Sequence, residues 1–375
     1  MIALIVGTTA ELIKMAPVFH ELAARGRLAE IWYTGQHVDE LSPTSRDLDL
    51  PEPAVWLVPR GTARNLARPA EVPAWLVRVV RTTWARRAEL RRRLTVDGTP
   101  AVVLVHGDTF TAPLGALIGR RLGARIGHVE AGMRSGSLLH PFPEELNRRA
   151  VAHLTDIHFA PTEREEHNLR RRRGVVVVTG ANTVVDAVRY ALERPEEEDA
   201  RSFPEGYGVA TLHRFELVRD ESLYRDALEC LADYARRRHP IVYFAGRSEL
   251  ERLGSYGLLS LFDEERFVLA EKLSYVRFLP VLAKARFVVT DSGGLQEESA
   301  HLGIPCAVHR RHTERMDGVG VSMVLTGLDR DALSQFLEGH ERHRSAGTVG
   351  DVRPSALIVD AIEALGGGAA ARVGG

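Results

Sequence analysis

The chain has 375 residues, 45% hydrophobic and 26% charged, with 49 Lys and Arg against 50 Asp and Glu. That length predicts two domains whose cores need no covalent staples, and the balanced charge argues against a chain built to coat nucleic acid or an acidic membrane. Two cysteines, Cys230 and Cys306, are too few for a disulfide framework or a four-cysteine zinc site, and no run reaches the ~18 apolar residues of a membrane span.

Residues 1–7 carry no basic segment ahead of the apolar ones and read as a strand rather than a signal peptide, so the cytoplasm is the expected compartment. Strands are expected at 3–6, 30–34, 101–105, 126–129 and 156–160. A second series is expected at 175–179, 208–212, 241–245, 267–269, 287–290, 306–308 and 323–325. These are continuous apolar runs, which suit strands buried on both faces of a parallel sheet, and the amphipathic stretches between them complete βα repeats. The pattern predicts an α/β protein of two Rossmann-like domains with a cleft between them, ligands sitting beyond the carboxyl ends of the strands. A polar boundary is expected near 170–174 and the acidic stretch 193–199, giving domains over 1–173 and 174–354. The arginine-rich run 78–94 is read as a solvated helix with Trp75, Leu76, Val79, Thr83, Leu90 and Leu94 turned inward. It lacks the aromatic-basic interleaving of a nucleic-acid module.

The chemistry-bearing segments fall at the expected strand ends. Gly7-Thr8-Thr9-Ala10-Glu11-Leu12-Ile13-Lys14 is a loop entering a helix. It matches neither the G-x-x-x-x-G-K-[ST] phosphate loop nor G-x-G-x-x-G, so no dinucleotide cofactor is expected. Lys14, one of three lysines in the chain, stands two turns into the helix, from which its ammonium can reach an anion. Asp108 and Glu130 each lie just past a strand, and Glu144 opens a helix after the turn at 141–143. Carboxylates brought together repel, which raises at least one pKa into the range of a general acid or base. His213 and Arg214 end the strand at 208–212 and suit a pyrophosphate and proton transfer. Asp291-Ser292-Gly293-Gly294 combines strand end, small turn and helix start. Its glycines admit backbone N–H groups to a phosphate, Ser292 adds a hydroxyl, and Glu298 is placed to accept from ribose hydroxyls. Arg315 stands on the same rim. His309 and His312 have no further ligand cluster nearby, so no metal is expected.

Together the strings GTTAELIKMAP, TGQH, HGDTFTA, HVEAGMRSG, PFPEELNRR, VTGANTVVDA, LHRFE and TDSGGLQEESAHLGIP with TER resemble, in this order and over nearly the whole chain, the bacterial non-hydrolysing UDP-N-acetylglucosamine 2-epimerases. The resemblance implies the GT-B fold, with a C-terminal helix over 355–367 crossing back to the first domain, and a reaction without metal or nicotinamide. It implies that UDP leaves C1 as the C2 proton is removed, giving 2-acetamidoglucal, and that UDP adds back with a proton delivered to the other face. By motif position Asp108, Glu130 and Glu144 match the catalytic acids, and Lys14 and His213 the basic groups at sugar and pyrophosphate. Ser292, Gly293, Gly294 and Glu298 match the UDP site, with Arg315 and Arg134 as further substrate contacts. His37 lies in the motif near a second, regulatory UDP-N-acetylglucosamine site. A homodimer through the first domain is also implied, for which the apolar face of 73–94 is available.

The chain departs from the pattern at three places. Thr9 and Ala10 stand where the family reads Arg-Pro, and a lost cation at a phosphate costs ~1.5–3 kcal/mol if nothing compensates. Phe215 replaces an arginine in the His-Arg-Arg-Glu motif, and Gly246 stands where Pro-Val-His would follow the strand at 241–245. The last change leaves the regulatory site incomplete and argues against substrate activation. Alternative readings are a hydrolysing epimerase releasing UDP and N-acetylmannosamine, a GT-B glycosyltransferase, and a non-catalytic UDP-sugar-binding protein.

Overall fold

A computed structural model describes all residues except 39, 64, 67–68, 97–99, 137–141, 196–202, 314, 351 and 367–375. Residue 141 of the expected turn, 196–199 of the acidic stretch, Glu314 of the TER string and residue 367 of the expected C-terminal helix lie outside the described residues.

The first unit comprises residues 1–187 and 352–375. Its elements are β1 (Ile2–Val6), α1 (Thr9–Ala24), β2 (Ala29–Tyr33), α2 (Leu41–Asp47), β3 (Val55–Trp56), α3 (Val72–Ala85), α4 (Arg87–Leu94), β4 (Val102–His106), α5 (Thr111–Leu122), β5 (Arg125–Val129), α6 (Glu144–Leu154), β6 (Ile157–Ala160), α7 (Glu163–Leu169), β7 (Val175–Val178) and the start of α8 (Val184–Leu192). The strands form one parallel sheet in the order β3-β2-β1-β4-β5-β6-β7. β1 and β4 are buried along their whole length, as their unbroken apolar runs predict. The chain reverses its direction of travel across the sheet between β1 and β4, the point where an open parallel sheet presents its ligand site. Two glycines let α5 press against this sheet. A Cβ on Gly119 would lie 2.6 Å from Ile126 Cδ1, and one on Gly115 2.9 Å from Val105 Cγ1.

The second unit, residues 188–351, repeats the plan. It contains β8 (Gly208–Thr211), α9 (Phe215–Val218), α10 (Glu221–Arg237), β9 (Ile241–Ala245), α11 (Arg247–Ser255), β10 (Phe267–Glu271), α12 (Tyr275–Ala283), β11 (Val288–Thr290), α13 (Gly293–Leu302), β12 (Cys306–Val308), β13 (Met323–Leu325) and α14 (Arg330–Gly339). The parallel sheet runs β10-β9-β8-β11-β12-β13 and reverses between β8 and β11. A buried tyrosine pair carries its core to the site. Tyr224 and Tyr243 share a hydroxyl hydrogen bond at 2.7 Å, and Tyr243 donates to the carbonyl of Leu212 at 3.0 Å, holding the end of β8 just before His213.

The final helix, α15 (Pro354–Gly366), packs on α1 within the first unit. Arg25 meets Asp360 at 2.5 Å and Glu363 at 3.0 Å, and Asp186 accepts from the Ser355 amide at 2.7 Å. The boundary differs from the expected 173/174. β7 pairs with β6 from Ile157↔Val175 to Ala160↔Val178, so the first unit continues to Ala187, and 174–187 belong to it rather than to the second. Four consecutive valines can edge either sheet; the short connection through α7 decides which. β3, two residues long and made by pairing with Trp32 and Tyr33, has no run of its own to announce it. In the arginine-rich segment α3 buries Trp75, Val79 and Thr83 and α4 buries Leu90 and Leu94, with Leu76 half-buried. Val77, Val80 and Trp84 of α3 face outward. Among the described residues no helix is long and apolar enough to cross a membrane, and both cysteines are free thiols.

Candidate active site

In the first unit the candidate residues gather at the carboxyl ends of β1, β4 and β5. Lys14 is buried and places Nζ 2.7 Å from Glu130 Oε2, so the anion it reaches is the chain's own carboxylate. Asn182, from the loop after β7, donates to the same oxygen, and His106 Nε2 stands 3.5 Å away. Glu130 adopts a left-handed backbone (φ 64°), which costs on the order of 1 kcal/mol and survives only where the surroundings over-determine it. Here Lys14 and Asn182 hold the side chain, and the Ala131 amide bonds to Phe159 O at 2.9 Å. His128, pushed by burial down to about 3 and so neutral, donates to the carbonyl of Gly107 at 2.8 Å and fixes the turn that carries Asp108.

Asp108 is gripped by a guanidinium fork. Arg148 Nε and Nη2 lie 2.9 and 2.5 Å from its Oδ2, and Asn147 donates to its carbonyl at 2.8 Å. Both partners come from α6, the helix that Glu144 opens. Glu144 itself is half-buried, with Oε2 enclosed and without a hydrogen-bond partner among the described residues. The fully buried acid is its neighbour Glu145, which accepts from the Ser135 amide at 3.2 Å and from Arg149 at 3.0 Å and has Arg148 at 3.7 Å. Arg134 lies 3.9 Å from Glu145 and donates to Met133 O at 2.6 Å. His37 is exposed, its amide bonded to Gly7 O at 2.9 Å.

The carboxyl that burial drives upward in this unit is one the motif reading did not select. Glu11, enclosed at the start of α1, is pushed up to about 7 by burial, against hydrogen bonds from Thr109, Gly7 and Thr8. Its signal was present: Thr8-x-x-Glu11 is the spacing of a capping box, and both halves of that box form. Arg148 and Glu145 also went unselected, although PEELNRR places them one helical turn apart.

In the second unit the ends of β8 and β11 meet through Asp291. Its buried Oδ2 accepts from the amides of His213 and Arg214 at 2.8 and 2.7 Å, and His213 Nδ1 lies 3.3 Å from Oδ1. Burial raises the Asp291 carboxyl, while the His213 charge and the two amides oppose the rise. The His213 ring is half exposed. Ser292 caps α13, accepting from the Leu295 amide at 3.4 Å, and no acid occupies the first turn of that helix. Gly293 permits a close approach: a Cβ there would stand 3.1 Å from Arg315 Nε. Arg315 pairs with buried Glu297, and Gln296 ties the Arg315 and Asp317 carbonyls to the helix at 3.1 and 3.2 Å. Glu298 is buried beside Tyr275, whose phenol rises through burial and then through the charge of that carboxylate.

Glu297, His301 and Asp317 bring ligand atoms within 4.8 Å of one another. The Arg315 guanidinium already sits on Glu297, so a cation there would compete with it. His309 is buried against Thr326 and turned into the core rather than toward a ligand cluster.

The chain is similar to known proteins throughout. A family model for UDP-N-acetylglucosamine 2-epimerase matches residues 87–362. A UDP-N-acetylglucosamine 2-epimerase of Methanocaldococcus jannaschii is 30% identical over 353 residues, covering 90% of this chain and 91% of that one. The enzyme of that name from Bacillus subtilis is 31% identical over 350 residues, covering 88% and 84%. The crystal structure of the Neisseria meningitidis UDP-GlcNAc 2-epimerase bound to UDP-GlcNAc is similar with a TM-score of 0.77 at 27% identity, over 96% of this chain and 99% of that one.

Proposed function

The chain belongs to the UDP-N-acetylglucosamine 2-epimerase family, and from that membership we propose that it interconverts UDP-N-acetylglucosamine and UDP-N-acetylmannosamine, or a closely related pair of UDP-2-amino sugars. The observation that carries the proposal is the gathering of Lys14, Asp108 and Glu130 at the carboxyl ends of β1, β4 and β5. In the proposed reaction a carboxylate takes the proton from C2 while the C1–O bond breaks. The C2–H electrons become the C1–C2 double bond of 2-acetamidoglucal, and UDP leaves with the C1–O pair. Re-addition reverses this flow, with a carboxyl returning a proton to the opposite face of C2.

Glu130, Asp108 and Glu144 are assigned to these proton transfers. Lys14 disperses the charge of Glu130. The leaving pyrophosphate is assigned to the N-terminus of α13, with Ser292, Gly293, Gly294, His213 and Arg315. Glu298 is assigned to the ribose, and Arg134 and His37 to further substrate contacts. The exposed Val77, Val80 and Trp84, spaced to share one face of α3, support a homodimer through the first unit. The cytoplasm, where a nucleotide-sugar substrate would be met, is the proposed compartment.

Proton NMR of UDP-N-acetylglucosamine with the protein in D2O tests the reading. Deuterium at C2 together with a manno UDP-sugar is expected. Free N-acetylmannosamine and UDP would replace it with the hydrolytic reaction, and an unchanged sugar that still binds would replace it with a binding role.

A further inference from the structure

In a strand–turn–helix unit the first amides of the helix form a cradle for an anionic ligand. After β1 that cradle is occupied by the chain itself. Glu11 Oε2 accepts from the Gly7 amide at 2.8 Å, the Thr8 amide at 2.9 Å and the Thr8 hydroxyl at 3.1 Å. Its other oxygen, Oε1, reaches out of the turn and accepts from the Thr109 hydroxyl at 2.6 Å, in the loop between β4 and α5. The Thr109 oxygen in turn accepts from the Thr111 amide at 3.1 Å, so its single proton is committed to Glu11. Glu11 thus faces four donors.

We infer that Glu11 is a positioning residue for the reaction proposed above, on which this inference rests: its carboxylate ties the β1–α1 turn, whose helix carries Lys14, to the β4–α5 loop, which carries Asp108. Lys14 lies one turn beyond Glu11 on α1, and Asp108 is the residue before Thr109. The tie therefore sets the spacing of two groups that come from different strand ends. Only the ionised carboxylate can accept from all four donors; a proton on either oxygen needs an acceptor of its own and displaces one of them. Burial pushes this carboxyl up to about 7, so the tie loosens as the solution becomes mildly acidic. The titratable groups around it are committed elsewhere. The Tyr33 phenol on β2 is pushed upward by burial and by the Glu11 charge, Lys14 is held by Glu130, and Asp108 by Arg148. The turn's other neighbour, His37, donates its backbone amide to Gly7 O at 2.9 Å.

The experiment is C2 deuterium exchange in D2O against pH for the wild type, Glu11→Gln, Thr109→Val and Thr109→Ser, alongside UDP affinity and melting curves. Misplacing a reacting group by about 1 Å costs roughly 100-fold, so kcat in Glu11→Gln is expected to fall roughly 10- to 100-fold while UDP affinity stays within about two-fold. The wild type should show an acid limb near pH 7 that Glu11→Gln lacks. Thr109→Val should lose activity in the same direction, and Thr109→Ser should restore it. Wild-type kcat and an unchanged acid limb in both Glu11→Gln and Thr109→Val overturn the inference. If Glu11→Gln fails to fold, Thr109→Val decides alone. If the wild type exchanges no deuterium, the reaction assignment falls, and the tie is read instead from the carboxyl ¹³C titration of Glu11. Its midpoint should rise in Thr109→Val; an unmoved midpoint overturns the tie.

Discussion

The turn after β1 and the turn after β11 start from the same local geometry: a buried parallel strand, two or three small residues, and a helix whose N-terminus points past the sheet edge. In the first, Glu11 at the third helical position folds back onto the Gly7 and Thr8 amides, and the turn is closed by its own carboxylate. In the second, the helix begins Gly293-Gly294-Leu295-Gln296, no acid stands in its first turn, and the cap is the neutral Ser292 hydroxyl. The acid available there, Asp291, precedes the helix and turns sideways to hold the His213 and Arg214 amides. A carboxylate inside the first turn makes the cradle structural, whereas one set before it organises the neighbouring loop and leaves the first helical turn without an acid of its own, where the proposed reaction puts a phosphate. The proposed reaction draws its proton transfers from the first unit and its leaving-group contacts from the second, and on that proposal substitutions in the first should move kcat and those in the second KM.

The largest expected effect is at Glu130. Glu130→Gln should lower kcat by roughly 10²–10⁴-fold, the usual worth of a positioned acid or base, with UDP affinity little changed; normal exchange would break the division. Glu145→Ala should destabilise the first unit by about 3 kcal/mol, because it leaves buried Arg148 and the Ser135 amide short of a partner. Glu144→Ala should leave the melting point nearly unchanged and lower kcat. The pair of melting curves and rates distinguishes these adjacent acids.

Glu11 makes stability itself pH-dependent. Its folded carboxyl is raised from 4.5 to about 7, so the stabilisation from holding that proton is complete below pH 4.5 and lost as pH rises through about 7. The loss is on the order of 3 kcal/mol. Melting points of the wild type should fall across that window relative to Glu11→Gln. In the second unit Gly293→Ala drives a Cβ to 3.1 Å from Arg315 and should raise KM roughly ten-fold with kcat retained, about what one charge-assisted hydrogen bond supplies. The smallest effect is Ser292→Ala, with about 1 kcal/mol lost from the α13 cap and a matching drop in UDP affinity by calorimetry.

Much of this was legible along the chain. Continuous apolar runs announce strands buried on both faces, and the motif residues follow those runs because a parallel sheet presents its loops at one edge. Asp108, Glu130, His213 and Ser292 each stand just beyond a strand end in their own unit, and Lys14, inside α1, reaches back to Glu130 with its ammonium. The Thr8-x-x-Glu11 spacing foretold a capping box, but a capping box is a local device, and nothing local says that its carboxylate is enclosed and bonded to Thr109, 98 residues away.

What the sequence by itself determined is set by short-range physics: the periods of the strands and helices, the caps, and the order in which acids, glycines and cations meet the strand ends. Tertiary structure decided the rest. Glu144 and Glu145 are indistinguishable as neighbours in a string, yet about 100° of helical rotation turns one into the interior against Arg148 and Arg149 of α6 and leaves the other half-buried. β7 could edge either sheet until its pairing with β6 was made, and β3 exists only because β2 offers an edge. Lys14 was an isolated cation until the left-handed turn at Glu130 brought a carboxylate back to within 2.7 Å of it. In each case the deciding energy, from burial, pairing or ion contact, lies between residues far apart in sequence, where the pattern of either segment alone carries no information about the other.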